Sequence, residues 1–218
     1  MKTKLAWLVS LLSLLVLNAV PAYAHHPLAG SPMETFAHGI LSGIGHPILG
    51  FDHLFFVVAL GVAAAFTGRQ LLAPLFYLAA MVAGVILCVS GMVLPAVEHV
   101  IAASIVVLGA LVLMGLRLSL PTAGVLFAGA GLFHGWAFGQ TIAGVEAAGA
   151  PVLAGYLIGL FALQWLVAVG AGYFASSGWK ALSGDIRPRL TGALATGVGL
   201  VFLLEGLEPL VLTAVGLG

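Results

Sequence analysis

The chain has 218 residues, of which 62% are hydrophobic and 6% are charged, whereas an ordinary soluble domain carries about 25% charged residues. This composition predicts an integral membrane protein surrounded by a lipid bilayer. Seven acidic residues balance seven Lys and Arg, and there is one cysteine, so the sequence indicates no nucleic-acid partner and excludes an internal disulfide.

The N-terminus has the pattern of a secretory signal peptide. Lys2 and Lys4 precede an apolar stretch at residues 5–20, and the segment Pro21-Ala-Tyr-Ala24 has small residues at its last and third-last positions. We therefore predict a signal peptide at residues 1–24, followed by a single membrane domain at residues 25–218. Cleavage of the signal peptide stays open, but His25 emerges on the outer side in either case.

Six apolar segments follow, each near the roughly 20 residues that a helix needs to cross the bilayer core. They predict an all-α, polytopic bundle of six transmembrane helices joined by short loops. The 30 glycines favour close packing, because small residues let helix backbones approach one another in lipid. The oligomeric state, including a homo-oligomer, stays open. The predicted spans are residues 40–66, 71–92, 100–116, 121–140, 152–174 and 190–217.

The basic residues predict the orientation of the bundle. After the signal peptide they fall in alternate loops, and the loops on the other side contain no Lys or Arg. The positive-inside rule makes the basic loops cytoplasmic, which agrees with the signal peptide. We therefore predict a multi-pass protein of the bacterial inner membrane with its N-terminus in the periplasm. The basic residues are Arg69, Arg117, Lys180, Arg187 and Arg189.

A small group of polar side chains interrupts the spans. An ionisable group at mid-membrane costs about 2.5–3.5 kcal/mol on insertion scales and is a functional hypothesis by default. A rise of about 1.5 Å per residue, counted from the outer end of each span, places the histidines of this group in the outer half of the membrane. Imidazole and carboxylate donors without thiolate suit nickel, cobalt, zinc or copper(II). The metal-ligand candidates among them are His46, Asp52, His53, His134 and Gln140, and the spans also contain Gln164, Glu205 and Glu208.

Three further histidines, His25, His26 and His38, precede the first predicted span. They predict a segment that gathers metal ions outside the membrane, although a solvated histidine-rich terminus explains them equally well. Asp52 has two roles open to it. Its carboxylate either ligates the ion or accepts the proton of a ligating imidazole ring.

The spacing of the first two histidines leaves the form of the site open. His46 and His53 are seven positions apart, which in a regular helix separates them by about 10.5 Å along the axis. That is too far for two nitrogens that must each lie about 2.0–2.1 Å from one ion. Pro47 and Gly50 both weaken a helix at this point, so the stretch either unwinds to form one site or keeps two successive sites.

The segment His46-Pro-Ile-Leu-Gly-Phe-Asp-His53 resembles the first histidine motif of the HupE/UreJ family of nickel and cobalt permeases, and His134-Gly-Trp-Ala-Phe-Gly-Gln140 resembles the second. The resemblance covers essentially the whole mature chain. The resemblance implies that His46, Asp52, His53 and His134 serve the metal path. Gln140 stands where many members carry an acidic residue, so the contribution of Gln140 and the choice of metal stay open.

We therefore expect a permease, and not an enzyme, that moves nickel or cobalt ions from the periplasm into the cytoplasm. The ion is the transported substrate, and no prosthetic group is expected. Two alternatives stay open. One is an intramembrane zinc-dependent hydrolase, in which the same His and Asp side chains hold zinc and activate a water, and the other is a non-transporting metal-binding membrane protein.

Overall fold

The computed structural model describes residues 33–143, 149–178 and 185–216. Every regular element within these residues is a helix, so the predicted all-α class is confirmed. The predicted signal peptide at residues 1–24, with His25 and His26, lies outside the described residues.

The first predicted span is two helices rather than one. Helix α1 covers Phe36–Leu49 and helix α2 covers Phe51–Phe66, and the pair is bent by 83°. Gly50 between them has an extended backbone, with φ −86° and ψ 98°. Pro47 weakens the last turn of α1, because it lacks the N–H that would bond to the Gly43 carbonyl.

The other helices match the predicted spans to within a few residues. Gly115 ends α4 with φ 70°, a left-handed conformation that glycine adopts without strain. Asp185 caps α7 by accepting the backbone N–H of Arg187 at 2.9 Å. The helices are α3 (Ala73–Val89), α4 (Val97–Met114), α5 (Leu120–Ala143), α6 (Ala150–Tyr173, followed by a π-helical turn at Phe174–Gly178) and α7 (Ile186–Ala214).

Three helical segments are long and apolar enough to cross a membrane, namely Val97–Met114, Ala150–Ser177 and Ile186–Thr213. The bent α1–α2 pair passes the same test when it is taken as one span, which brings the number to four. Helix α3 is apolar but has only 17 residues. In the described part of the chain, length and composition therefore support three or four of the six predicted spans.

Glycines bring α1 and α6 into backbone contact. Cβ atoms added at Gly39 and Gly43 would collide with the carbonyl oxygens of Val152 and Tyr156. Because higher residue numbers on α1 meet higher residue numbers on α6, the two helices run parallel. Small residues are what membrane helices use for such close approach.

Helices α3 and α5 pack in the same way. Cβ atoms added at Gly131 and Gly135 of α5 would collide with the carbonyl oxygens of Tyr77 and Met81 on α3. The order of these contacts makes α3 and α5 parallel. These contacts therefore fix the position of α5 along the axis of α3.

Helices α4 and α7 run antiparallel. A Cβ added at Gly109 would lie 2.5 Å from the backbone nitrogen of Thr196, whereas one added at Gly192 would collide with the backbone nitrogen of Leu113. At this end of the bundle the Arg189 Nε donates to the Leu113 carbonyl at 2.6 Å. The guanidinium therefore satisfies a carbonyl that the end of α4 leaves without a helical partner.

Candidate metal site

The break at Gly50 brings His46 and His53 together. His46 lies in the last turn of α1 and His53 in the first turn of α2, and their ring centroids are 6.0 Å apart. Only a residue without a side chain fits between them, since a Cβ added at Gly50 would lie 2.8 Å from Cδ2 of His53. A regular helix would hold the two residues about 10.5 Å apart along its axis, so the bend is what makes them neighbours.

Helix α5 supplies a third imidazole. His134 is 0% exposed, and its ring centroid is 5.3 Å from that of His53. The ring of Phe138, one turn further along α5, packs against His46 at 5.1 Å and against His53 at 4.5 Å between centroids. Histidines from three helices therefore meet in one place, here called the histidine cluster (His46, His53 and His134).

Hydrogen bonding fixes the tautomer of His134. Its Nδ1 lies 2.9 Å from the carbonyl oxygen of Ala130, and because a carbonyl oxygen only accepts, Nδ1 carries the proton. Nε2 therefore carries the lone pair, and this atom is buried without a hydrogen-bond partner. A ring oriented by a carbonyl at Nδ1, with a lone pair at Nε2, has the geometry of a histidine metal ligand.

Asp52 lies beside His53 rather than among the rings. Its Oδ2 is 3.7 Å from Nδ1 of His53, and that nitrogen is buried without a hydrogen-bond partner. The separation exceeds the hydrogen-bonding range of about 2.7–3.2 Å, although the two groups are adjacent. Of the two roles open to Asp52, the geometry favours that of proton acceptor for His53 over that of direct ligand.

Thr141 is not among the residues predicted from the sequence, yet it contacts the cluster. Its Oγ1 lies 3.0 Å from Nδ1 of His46. Thr141 follows His134 by seven positions, which is about two turns along the same face of α5, and this spacing is the sequence signal that identifies it. Each histidine of the cluster thus has Nδ1 beside an oxygen atom, supplied by Thr141, Asp52 or Ala130.

The cluster is more open at one end than at the other. His46 is partly exposed, His53 is 8% exposed and His134 is 0% exposed. On the far side of His134 the rings of Phe56 and Tyr77 lie at 4.3 and 5.7 Å between centroids. Both aromatic rings are almost fully buried, so they close the inner end of the cluster.

Gln164 of α6 holds Tyr77 in place. The Tyr77 hydroxyl donates to Oε1 of Gln164 at 2.8 Å. The amide nitrogen of Gln164 donates to the sulfur of Met81 at 2.9 Å and to the Leu160 carbonyl at 3.3 Å. The buried pair therefore has its hydrogen bonds satisfied, as burial requires.

Two predicted residues lie away from the cluster. Gln140 is exposed, and its offset of six positions from His134 places it about 120° around α5. His38 lies in the first turn of α1, where its backbone N–H donates to Thr35 Oγ1 at 3.1 Å and its Nδ1 accepts the backbone N–H of Glu34 at 3.3 Å. These bonds cap the start of α1.

Among the described residues, no three His, Cys, Asp or Glu side chains already converge on one point at ligating distance. Two imidazoles that bind one ion at about 2.0–2.1 Å hold their ring centroids about 5 Å apart. The His46–His53 and His53–His134 pairs, at 6.0 and 5.3 Å, are each within about 1 Å of that spacing. His53 belongs to both pairs, so small shifts would let it share an ion with either neighbour.

Apolar helices of membrane-spanning length around the histidine cluster define a polytopic helical membrane protein with an apolar core that contains a few polar side chains. The family model described as HupE / UreJ protein matches residues 12–202. The chain therefore belongs to the HupE/UreJ family, which is associated with nickel and cobalt transport, and the resemblance seen in the sequence is confirmed.

One relative extends the comparison over most of the chain. The chain is similar to the protein described as Protein HupE from Rhizobium leguminosarum bv. viciae, with 29% identity over 189 residues, which is 85% of this chain and 93% of that protein. No solved structure matches the chain.

Proposed function

We propose that this protein is a permease that carries nickel or cobalt ions from the periplasm across the inner membrane into the cytoplasm, and that the ion passes through the histidine cluster. The observation that carries the proposal is the shared arrangement of the three rings, in which each Nδ1 lies beside an oxygen atom. With Nδ1 protonated, as at His134, each ring would carry its lone pair on Nε2, the nitrogen that would then bind an ion. Imidazole nitrogens supported by oxygen acceptors suit nickel and cobalt.

His53 is the ligand common to two successive positions of the ion. An ion first binds between His46 and His53, and then exchanges His46 for His134 as it moves inward. The centroid distances of 6.0 and 5.3 Å for these two pairs support such a step, because both are near the spacing of ligating rings. A stepwise exchange keeps each position weak enough for the ion to leave it.

The exposure of the cluster and the basic end of the bundle support the inward direction. Helix α5 starts beside the loop that holds Arg117 and reaches His134 before Thr141. His46 contacts Thr141, so it lies farther from the basic end than His134 does. If the basic end is cytoplasmic, as the positive-inside rule requires, the partly exposed His46 faces the periplasm and the buried His134 faces inward.

Uptake of nickel and of cobalt by cells that express the protein tests the proposal. We expect accumulation above empty-vector cells for the wild type, and a loss of about tenfold or more for His46→Ala, His53→Ala and His134→Ala, because even supporting residues of a metal site affect affinity by about 10–100-fold. Asp52→Asn is expected to fall in the same range. Membrane abundance is matched for all variants.

Gly129→Ala on α5 is the control. A Cβ added at Gly129 meets no heavy atom within 4 Å, so uptake by this variant should equal that of the wild type. Wild-type cells that accumulate neither ion would refute transport. If purified protein then still bound nickel, the chain would be a non-transporting metal-binding protein. Unchanged uptake in the cluster variants would remove the site.

A further inference from the structure

Thr141 contacts a predicted metal ligand on another helix, although it is not itself a predicted ligand. It lies on α5, it is partly buried, and its hydroxyl oxygen is 3.0 Å from Nδ1 of His46 on α1. The two residues are 95 positions apart in the sequence, so the contact depends on the packing of the bundle rather than on local structure.

The chemistry of this contact decides which nitrogen of His46 can bind an ion. A neutral imidazole has one protonated and one lone-pair nitrogen, and the hydrogen bond at one nitrogen sets the state of the other. A threonine hydroxyl can accept an N–H through its oxygen and still donate its own proton elsewhere. When Oγ1 of Thr141 accepts the proton of Nδ1, the lone pair of His46 is on Nε2.

The neighbouring histidine supports this assignment. His134 already has Nδ1 directed at a carbonyl that only accepts, with a buried lone pair on Nε2. Both acceptors, the Ala130 carbonyl and Thr141, belong to α5. One helix therefore orients two rings of the cluster from two different levels along its axis.

The Thr141 hydroxyl also lies within hydrogen-bonding reach of the Tyr156 hydroxyl. The Tyr156 hydroxyl donates to the Phe138 carbonyl at 2.9 Å, so it keeps a partner when Thr141 changes. Valine has almost the shape of threonine and lacks the hydroxyl. Thr141→Val therefore removes the contact with His46 while the helix packing stays filled.

We propose that Thr141 is a positioning residue for His46, which holds the ring in the tautomer and orientation that present Nε2 to the ion. This inference rests on the proposed function, since it assigns a supporting residue to the first position of the ion. Thr141 acts through His46 and does not itself ligate. Its loss should weaken metal affinity without changing the number of ions bound.

A double-mutant cycle on the purified full-length protein in detergent tests the inference. Nickel titrations compare the wild type, Thr141→Val, Thr141→Ser, His46→Ala and the His46→Ala/Thr141→Val double variant. We expect Thr141→Val to weaken affinity about tenfold, the low end for a supporting residue of a metal site. Thr141→Ser keeps the hydroxyl and should stay within about twofold of the wild type.

The decisive comparison is made in the His46→Ala background. If Thr141 acts through His46, adding Thr141→Val to His46→Ala has no further effect beyond about twofold. An equal loss in both backgrounds would show a merely structural role and overturn the inference. Wild-type nickel affinity in Thr141→Val would also overturn the inference. If His46→Ala binds nickel more weakly in the same experiment, the proposed function still stands.

Two further outcomes can be distinguished from a failure of the inference about Thr141 alone. A wild type that binds neither nickel nor cobalt refutes the proposed function, and the role of Thr141 falls with it. If Thr141→Val does not yield folded protein, Thr141→Ala replaces it in the cycle, because the smaller side chain removes the same hydroxyl without crowding.

Discussion

Replacing Gly135 by alanine tests the backbone contact that holds α5, and with it His134, against α3. A Cβ at Gly135 would collide with the carbonyl oxygen of Met81, which cannot turn aside without disturbing α3. We expect this overpacking to cost about 1–3 kcal/mol. Alanine also favours a helix over glycine by about 0.8–1.0 kcal/mol, so the two effects oppose each other.

Gly129 on the same helix provides the matched control. A Cβ added there meets no heavy atom within 4 Å, so Gly129→Ala gains helix propensity without a clash. The propensity gain is common to both variants and cancels in their comparison. The difference in stability between Gly135→Ala and Gly129→Ala should therefore be the clash alone, about 1–3 kcal/mol.

The single cysteine offers a direct assay. Cys88 is 9% exposed on α3, and its Cβ lies 2.5 Å from a Cβ added at Gly139 of α5, so a thiol-reactive fluorophore should reach it faster when the two helices separate. Labelling rates follow the population of the open form, and each 1.4 kcal/mol is a factor of ten. Gly135→Ala should label about 5- to 150-fold faster than Gly129→Ala. Equal rates would show that the α3–α5 contact tolerates a side chain and would refute the reasoning.

Three further outcomes are expected. Tyr77→Phe and Gln164→Leu should each lower the free energy of unfolding by about 1–3 kcal/mol, because each leaves a buried polar partner unsatisfied. In thermal unfolding, the double variant should lose less stability than the sum of the two single-variant losses. Gln140→Ala should leave nickel affinity unchanged in a titration, since Gln140 is exposed; a tenfold loss would place its side chain on the metal path. A reporter fused beside Arg187 should read cytoplasmic, and a periplasmic reading would reverse the proposed direction.

The positions of the helices were largely predictable, because continuous apolar segments bounded by Gly, Pro and charged residues define them locally. The first span was the exception. Its apolar residues run through the break, and hydropathy does not register a change of direction at Gly50. Pro47 and Gly50 marked the weak point, but the 83° bend depends on the packing of α1 against α6 and of α2 against α6, α4 and α7. Whether the chain crosses the membrane six times stays a prediction.

The histidines of the cluster were predictable as a group, because imidazoles in an apolar span are rare enough to draw attention. Their role as metal ligands stays a prediction. Thr141 was missed because a threonine in a helix has many ordinary explanations, and its contact is made with a residue 95 positions away. Gln140 was selected as a polar residue in the fourth span, although its neighbour Thr141 is the one on the same face as His134.

The break in the first membrane segment changes the electrostatics of the cluster as well as its shape. Helix α1 ends at Leu49 with carbonyl groups that lack helical partners, and α2 begins at Phe51 with unpaired N–H groups. A cation beside the break is attracted by the roughly −0.5 charge of the first end and repelled by the roughly +0.5 charge of the second.

Asp52 resolves this conflict, because it lies in the first turn of α2 and places a carboxylate at the end that would repel the ion. In the proposed site, a carboxylate turned toward Nδ1 of His53 would orient that ring, and its charge would also cancel the unfavourable field. Thr141 is neutral, so it would orient His46 without changing the field. It follows that Asp52→Asn, which keeps the shape and loses the charge, should weaken nickel binding more than Thr141→Val does, even though both side chains support a histidine rather than touch the ion.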